Sequence, residues 1–200
     1  MILLSVCIPT FNRAEMLRDC LAGLGFLGDL PFKTEVVVID NASPDGTPDV
    51  LAEAKLPVPL RTFRQERLVD AIENHFAAIR QAEGKLAVYL ADDDRLYPEA
   101  LRKAVETIAM RPDVVALFAP YQETLEGKPA GIGNEMPAPK LMLRGNFTAA
   151  LRLFIERMYH PEMAVVRTEE FRRFVTRPAK TFYGYWLFAS LLARGDVLLW

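Results

Sequence analysis

The sequence predicts an α/β fold with a mostly parallel β-sheet flanked by helices, and three observations support this prediction. Strand-like and helix-like segments alternate through the first 120 residues, a rhythm typical of strand–helix–strand units. The strand segments at 34–42 and 86–91 contain continuous apolar runs, which favour parallel strands buried on both faces. Three strand segments end in polar or special residues, as expected where parallel strands present a ligand site at their carboxyl ends.

Hydrophobic periodicity predicts the amino-terminal strand–helix pairs. A β-rich run at 3–10 leads into a helix at 12–24, in which apolar residues recur at helical spacing. The strand at 34–42 is followed by a turn and then by a short helix at 48–55. The strand at 59–65 alternates apolar with polar residues, which indicates that one face is exposed.

The same alternation continues to residue 120. A helix at 68–84 carries apolar residues on one face and precedes the buried strand at 86–91. The helix at 98–110 begins with proline, which is favourable in the first helical turn, and the strand at 114–120 completes the series.

The composition changes after Pro120. Residues 121–140 contain three glycines, three prolines and few large apolar side chains, which predicts a long loop or a β excursion. The later segments are predicted as helix, strand, helix, helix and strand, at 146–158, 162–168, 169–175, 183–195 and 196–200. The sequence leaves open whether the chain is truncated after Trp200.

Composition limits the class of protein. The chain has 200 residues, of which 51% are hydrophobic and 25% charged, as in a globular protein, and no apolar run approaches the ~20 residues of a membrane span. The net charge of −2 argues against bulk nucleic-acid binding. The apolar start lacks a basic region, and the only cysteines, Cys7 and Cys20, suggest small core residues, so we expect a cytoplasmic protein.

Three consecutive acids, Asp92, Asp93 and Asp94, follow the strand at 86–91. Their mutual repulsion does nothing for a core, but a hard divalent cation such as Mg²⁺ or Mn²⁺ would remove it, held by one or two carboxylates and substrate phosphates. The alternative is a solvated acidic turn before the helix at Pro98, whose amino terminus favours negative charge.

Three stretches resemble, in order and spacing, the family 2 glycosyltransferases of the GT-A fold. They are LSVCIPTFNRAEMLRDCLAGL, EVVVIDNASPDGT and NHFAAIRQAEGKLAVYLADDDRLYPEAL, and the match covers roughly residues 3–110. The DNAS variant is similar to bacterial O-antigen sugar transferases of the abequosyltransferase and rhamnosyltransferase type.

The resemblance implies roles for the first two strand ends. Pro9, Thr10 and Phe11 would lie against the nucleotide base, and Asp40 with Asn41 would bind the base or ribose. A carboxylate suits this role because it accepts two donors at once. Asp40 could also simply start the turn that follows it.

The acidic cluster corresponds to the DxD element of the family. Ala91 stands where the family pattern has its first acid, so Asp92 and Asp93 are the best matches. The resemblance thus implies that Asp93 binds Mg²⁺ or Mn²⁺ directly, with Asp92 facing the ribose or metal and Asp94 outside the first set of ligands.

The helix at 68–84 adds further candidates. Asn74 matches a family asparagine and is predicted to bind the donor, and Arg80 or Lys85 would assist at the phosphates. The competing interpretation places His75 and Arg80 on exposed helix surface.

The catalytic base is the least determined element of the site. The family uses a carboxylate in a Glu-Asp pair, and the corresponding position near 183–184 holds no acid. We take Glu162 and Asp45 as the candidate bases, with His160 as a further candidate, because a base must accept the proton of the attacking hydroxyl.

The resemblance implies a metal-dependent inverting glycosyltransferase of a single GT-A domain, 1–200, that acts in bacterial surface-polysaccharide or O-antigen synthesis. Residues 1–120 would bind the nucleoside-diphosphate sugar and 121–200 a saccharide or lipid-linked acceptor, with peripheral contact at the inner membrane through basic and aromatic side chains. The alternatives are a sugar nucleotidyltransferase and a nucleotide-sugar-binding module without catalysis.

Overall fold

The chain forms two compact units in a computed structural model that describes residues 1–125, 128–133, 136–157, 164–175 and 183–200. The first unit is Met1–Lys103 and the second is Ala104–Trp200. The boundary falls within a helix and lies earlier in the chain than the change in composition at Pro120.

The first unit alternates strands and helices as predicted. Its elements are β1 (Leu4–Thr10), α1 (Ala14–Ala22), a 3-10 turn (Gly25–Asp29), β2 (Thr34–Asp40), α2 (Thr47–Glu53), β3 (Leu60–Arg64), α3 (Ala71–Arg80), β4 (Leu86–Tyr89) and the first part of α4 (Pro98–Met110). The strands are parallel in the order β3-β2-β1-β4, which confirms the predicted fold class.

Burial follows the predicted pattern of the strands. All seven residues of β2 are buried, because β2 lies between β1 and β3 and helices cover the sheet. The edge strand β3 has only half-buried and exposed residues, as its alternating sequence predicts. Both cysteines are buried, and burial, with a contribution from nearby Asp92, raises the pKa of the Cys20 thiol to about 12.

A buried carboxylate ties the strands together at the amino end of β1 and β2. Glu35 is fully buried and accepts hydrogen bonds at one oxygen from the Ser5 hydroxyl (2.5 Å) and the Glu83 N–H (2.6 Å). Its second oxygen accepts from Arg61 at 3.2 Å. The Gly84 N–H donates to the Ser5 hydroxyl at 2.8 Å, so the loop before β4 joins the same network.

Substitution of Glu35 by alanine tests how much this network contributes to the stability of the fold. We expect the free energy of unfolding to fall by about 2–4 kcal/mol, because three buried or half-buried donors lose their acceptor. Glu83→Ala is the matched control, since the half-exposed Glu83 carboxylate also pairs with Arg61 and should cost at most about 0.5–1 kcal/mol. Urea unfolding of both variants measures the difference, and equal losses would contradict a structural role for Glu35.

The second unit combines a short mixed sheet with helices and a hairpin. Its elements after α4 are β5 (Val114–Phe118), β6 (Tyr121–Leu125), β7 (Lys128–Gly133), β8 (Lys140–Met142), α5 (Phe147–Arg157), β9 (Ala164–Arg167), α6 (Thr168–Val175), α7 (Tyr183–Leu192) and β10 (Asp196–Leu199). The strand order is β9-β5-β10-β8, with β5 and β10 parallel and the other pairs antiparallel. The antiparallel β6–β7 hairpin confirms the predicted β excursion.

Several basic and aromatic side chains of the second unit have structural partners. Arg167 donates to the backbone carbonyls of Ile108, Arg111 and Val114 and so caps the end of α4. Phe171 and Phe174 are buried, and Phe154 makes edge contacts with neighbouring rings of α7. These three aromatic side chains therefore pack in the core, which was the alternative to membrane contact for them.

Some apolar side chains of the second unit are exposed. Phe147, Leu151 and Ile155 on α5 are 49%, 58% and 67% exposed, and Trp186 on α7 is 60% exposed. Within the described ranges, no helix has the length and apolar character needed to span a bilayer.

Candidate functional site

Three strand ends converge at the carboxyl edge of the parallel sheet in the first unit. Thr10 and Asp40 are paired in register at the ends of β1 and β2, and the Asn41 N–H donates to the Thr10 carbonyl at 2.9 Å. The Thr10 hydroxyl donates to Asp92, beyond β4, at 2.7 Å. The structure therefore brings together the three strand ends that the sequence pattern singled out.

The three consecutive aspartates have different surroundings. Asp92 is buried and accepts hydrogen bonds from the Thr10 hydroxyl and from Arg13 Nη1, the latter at 3.0 Å. The Asp93 side chain is 46% exposed and accepts from the same Arg13 nitrogen at 2.9 Å. Asp94 is exposed, and its N–H closes a turn onto the Ala91 carbonyl. Burial thus distinguishes Asp92 from the other two, and a shared partner, Arg13, links it to Asp93.

Sequence reasoning missed Arg13, which links the two carboxylates. Arg13 directly precedes α1, and hydrogen bonding to Asp92, with attraction from Asp92 and Asp93, raises its pKa above the ordinary value. The available signal was a basic residue three positions after Thr10, close to a strand end that the fold class places beside the acids.

Asp40 is almost fully buried, and both of its oxygens have donors. One oxygen accepts from the Ser43 N–H at 2.9 Å, and the other accepts from Arg64. Arg64 also donates to the Ser43 carbonyl at 2.9 Å, so it holds the loop after β2 against the strand end. Arg64 is the second residue that the sequence pattern did not identify.

Two asparagines predicted to bind the donor contact backbone groups. The Asn41 amide exchanges two hydrogen bonds of 2.9 Å with the backbone of Val69. The buried Asn74 amide lies 3.3 Å from the Ile39 carbonyl and 3.5 Å from the Thr10 carbonyl. The Asn41 side chain therefore joins the end of β2 to the segment before α3, and Asn74 holds the ends of β1 and β2.

The loops after β1 and β2 meet in constrained backbone conformations. Asn12 and Ala42 have positive φ angles of 54° and 58°, a region that costs a residue with a side chain ~1 kcal/mol or more. The Asn12 N–H donates to the Ser43 hydroxyl at 2.9 Å, which ties the two loops together. At this rim Pro9 is half-buried and the Phe11 ring is 39% exposed.

The structure separates the remaining candidates on and after α3. His75 is buried, so its predicted exposure is wrong, and its ring stacks on Tyr89 with centroids 3.7 Å apart. Burial lowers the pKa of His75 to about 3, which keeps the imidazole neutral. Arg80 is exposed as expected, whereas Lys85 directly precedes β4, at the amino end of that strand and away from the acidic cluster.

Of the two carboxylates predicted as catalytic bases, only Asp45 lies within the described residues. Asp45 accepts the Ala14 N–H at 3.0 Å and the Thr47 N–H at 3.1 Å, so it caps the first turns of α1 and α2. The neighbouring Thr47 hydroxyl and these backbone donors lower the pKa of Asp45, which weakens it as a base. Glu162 and His160 lie outside the described residues.

The architecture places the chain in the α/β class with the GT-A arrangement that the sequence predicts. The profile of glycosyl transferase family 2 matches residues 5–174. The chain therefore belongs to glycosyl transferase family 2.

Individual relatives are similar to the chain in sequence, and solved structures share its fold. The chain is 29% identical over 101 residues to abequosyltransferase RfbV of Salmonella typhimurium, which is 50% of this chain and 30% of the relative. S. aureus TarS 1–349 in complex with UDP-GlcNAc shares 18% identity and a TM-score of 0.74 over 100% of this chain and 56% of that one. A Pyrobaculum calidifontis mannosyltransferase, in complex with GDP-Man and Mn²⁺, shares 23% identity and a TM-score of 0.57 over 85% of this chain and 46% of that one.

These structural likenesses establish the fold. The chain spans between 30% and 38% of the length of the curated relatives it matches.

Proposed function

We propose that the chain binds a nucleoside-diphosphate sugar with Mg²⁺ or Mn²⁺ and transfers the sugar, with inversion, to an acceptor hydroxyl. The observation that carries this proposal is the convergence of Asp40, Asp92 and Asp93 at one sheet edge in a chain of glycosyl transferase family 2. Neighbouring folds solved with UDP, UDP-GlcNAc and GDP-Man support a nucleotide sugar as the donor.

The donor nucleoside would bind at the ends of β1 and β2. Each Asp40 oxygen has one donor and retains capacity for another, so this buried carboxylate can accept from a base or ribose hydroxyl. The half-exposed Phe11 ring offers a flat apolar surface beside it for the base.

The acidic pair suits a divalent cation. One oxygen of Asp92 and one of Asp93 lie about equally far from a single cationic nitrogen, at 3.0 and 2.9 Å, so both carboxylates already face one point of positive charge. In the described ranges no three His, Cys, Asp or Glu side chains are grouped to hold a metal. Two carboxylates completed by substrate phosphates are the usual arrangement for Mg²⁺.

The cation, when bound, would stabilise the charge that grows on the departing diphosphate. The chain's own contribution would be to hold Asp93 toward the phosphates and to keep Asp92 in place through the Thr10 hydroxyl. We further propose that the transfer belongs to surface-polysaccharide or O-antigen synthesis, which the similarity to an abequosyltransferase supports.

Asp93→Asn tests the cation site against Asp94→Asn, which removes the same charge one residue further on. We expect the Asp93 variant to lose metal-dependent nucleotide affinity by at least about tenfold, because a direct ligand is removed. The Asp94 variant should stay within about threefold. Calorimetric titration of UDP and GDP with and without Mn²⁺ provides the measurement, and equal losses in the two variants would contradict the assignment.

We take Glu162 forward as the general base. A base must accept the proton of the attacking hydroxyl, and Asp45 is weakened for this role because backbone donors and the Thr47 hydroxyl lower its pKa. The Asp45 carboxylate would instead support the site by joining the loop after β2 to the start of α1.

Paired amide substitutions separate these two roles. Glu162→Gln should lower kcat by about 10²-fold or more without lowering donor affinity, because only proton removal is lost. Asp45→Asn should leave kcat within about threefold and lower the melting temperature, because one cap is weakened. Steady-state rates and thermal unfolding measure both effects, and an unchanged kcat in the Glu162 variant would exclude it as the base.

The acceptor would be a lipid-linked saccharide at an anionic membrane surface, which the exposed face of α5 would contact. Phe147, Leu151 and Ile155 recur every four residues on this face, and the same helix carries the exposed Arg152. An exposed apolar stripe on a helix that also carries a basic residue suits contact with an anionic lipid interface.

Vesicle sedimentation tests this contact. Leu151→Glu should weaken binding to phosphatidylglycerol vesicles by about tenfold or more, because an apolar anchor is replaced by a charge. Leu125→Glu is the control, since Leu125 is 71% exposed on the hairpin and away from α5 in the chain. Absence of binding by the unmodified chain, or equal losses in both variants, would contradict the membrane contact.

A nucleotide-sugar-binding module without catalysis is the second candidate. It is favoured by one observation, the absence of an acid at 183–184, where the family resemblance implies a Glu-Asp pair. Donor binding without turnover, even to water, would favour this candidate. The segment after β1 lacks the glycine-rich loop of a sugar nucleotidyltransferase.

A further inference from the structure

The guanidinium of Arg13 lies at the centre of the acidic pair. A single nitrogen, Nη1, donates to Asp92 Oδ1 at 3.0 Å and to Asp93 Oδ2 at 2.9 Å. Arginine commonly pairs with a carboxylate through two parallel hydrogen bonds from two nitrogens. Here one nitrogen bridges two carboxylates instead, as a monatomic cation would.

A divalent cation bound by both oxygens would therefore compete with Arg13 for the same position. The two positive charges repel each other at such short range, so one must leave. The Arg13 side chain is 48% exposed, whereas the Asp92 side chain is only 6% exposed and is held by Thr10. The guanidinium is thus the group that can move, toward solvent.

We propose that Arg13 is an internal counter-cation which excludes the metal until a nucleoside diphosphate binds and accepts the displaced guanidinium. This inference rests on the proposed metal site. The oxygens of a diphosphate can accept hydrogen bonds from a guanidinium. They would therefore replace the two carboxylates as the partners of Arg13 once the metal binds those carboxylates. Metal and nucleotide then bind with a positive coupling that exceeds what the shared phosphate ligands give, and this added part depends on Arg13.

The coupling has a consequence for the metal-free site. The carboxylates stay paired when no donor is bound, so the buried Asp92 is never left without a cation. Coupling between two ligands of one protein commonly amounts to 5- to 150-fold in affinity, and the exchange of one ion pair for another belongs in that range.

The test is calorimetric titration of Mn²⁺ into the whole chain, alone and with saturating UDP or GDP. The unmodified chain should bind Mn²⁺ about tenfold or more tightly with the nucleotide than without it. Arg13→Gln should bind Mn²⁺ alone about tenfold more tightly than the unmodified chain. Its nucleotide effect should be smaller than that of the unmodified chain, and the part that remains would come from the phosphates that complete the cation's ligands. An unchanged or weaker affinity of this variant for Mn²⁺ alone, or an undiminished nucleotide effect, would overturn the inference.

Two further variants keep the result interpretable. Arg18→Gln removes a charge from the exposed face of α1 and should change neither the Mn²⁺ affinity nor the coupling, which separates competition from a general charge effect. Arg13→Lys retains a cation that can reach the acids, so its Mn²⁺ affinity without nucleotide should stay within about threefold of the unmodified chain. A tenfold rise in Arg13→Lys would count against competition for the position.

Failure of the inference and failure of the proposed function give different results. If Mn²⁺ binds and Asp93→Asn abolishes binding, but Arg13→Gln behaves like the unmodified chain, only the inference fails. If neither the unmodified chain nor Arg13→Gln binds Mn²⁺ with any nucleotide, the metal site itself fails and the inference with it.

Discussion

Every acidic side chain that is buried among the described residues is paired with an arginine that reaches solvent. The pairs are Glu35 with Arg61, Asp40 with Arg64 and Asp92 with Arg13. A carboxylate leaves water only if a cation and hydrogen-bond donors replace its hydration. The parallel sheet depends on these pairs, because all three acids lie on its strands or just beyond a strand end. Ion pairing therefore constrains the same segments that build the candidate site.

The two ends of the sheet use the same pairing differently. Glu35 has donors from a hydroxyl, a backbone N–H and Arg61, so its hydration is replaced mostly by groups that cannot leave. At the opposite edge Asp92 and Asp93 share one nitrogen of a half-exposed arginine. A shared, solvent-accessible partner can be exchanged for another cation, whereas a fixed set of donors cannot. The first arrangement suits a structural tie and the second suits a binding site.

Much of the candidate site could be predicted because topology determines it. Parallel strands present their carboxyl ends at one edge, so polar residues that close β1 and β2 and follow β4 had to meet there. The arginines were harder to predict. The only sequence signal for Arg13 is its position three residues after Thr10, and Arg64 is indistinguishable in sequence from a surface charge. The exposure of His75 was predicted wrongly because periodicity on α3 does not reveal that Tyr89 covers that position.

The amino-acid sequence by itself determined the α/β class, the alternation of strands and helices along the chain and the identity of the acids at the strand ends. It did so because hydrophobic periodicity and polarity at strand ends are local properties, which can be identified without knowing the tertiary contacts. Only the tertiary structure decided that Asp92 is buried, that Asp93 stays half-exposed and that Arg13 joins them. Burial and charge pairing arise from residues about 80 positions apart, and no local pattern encodes them.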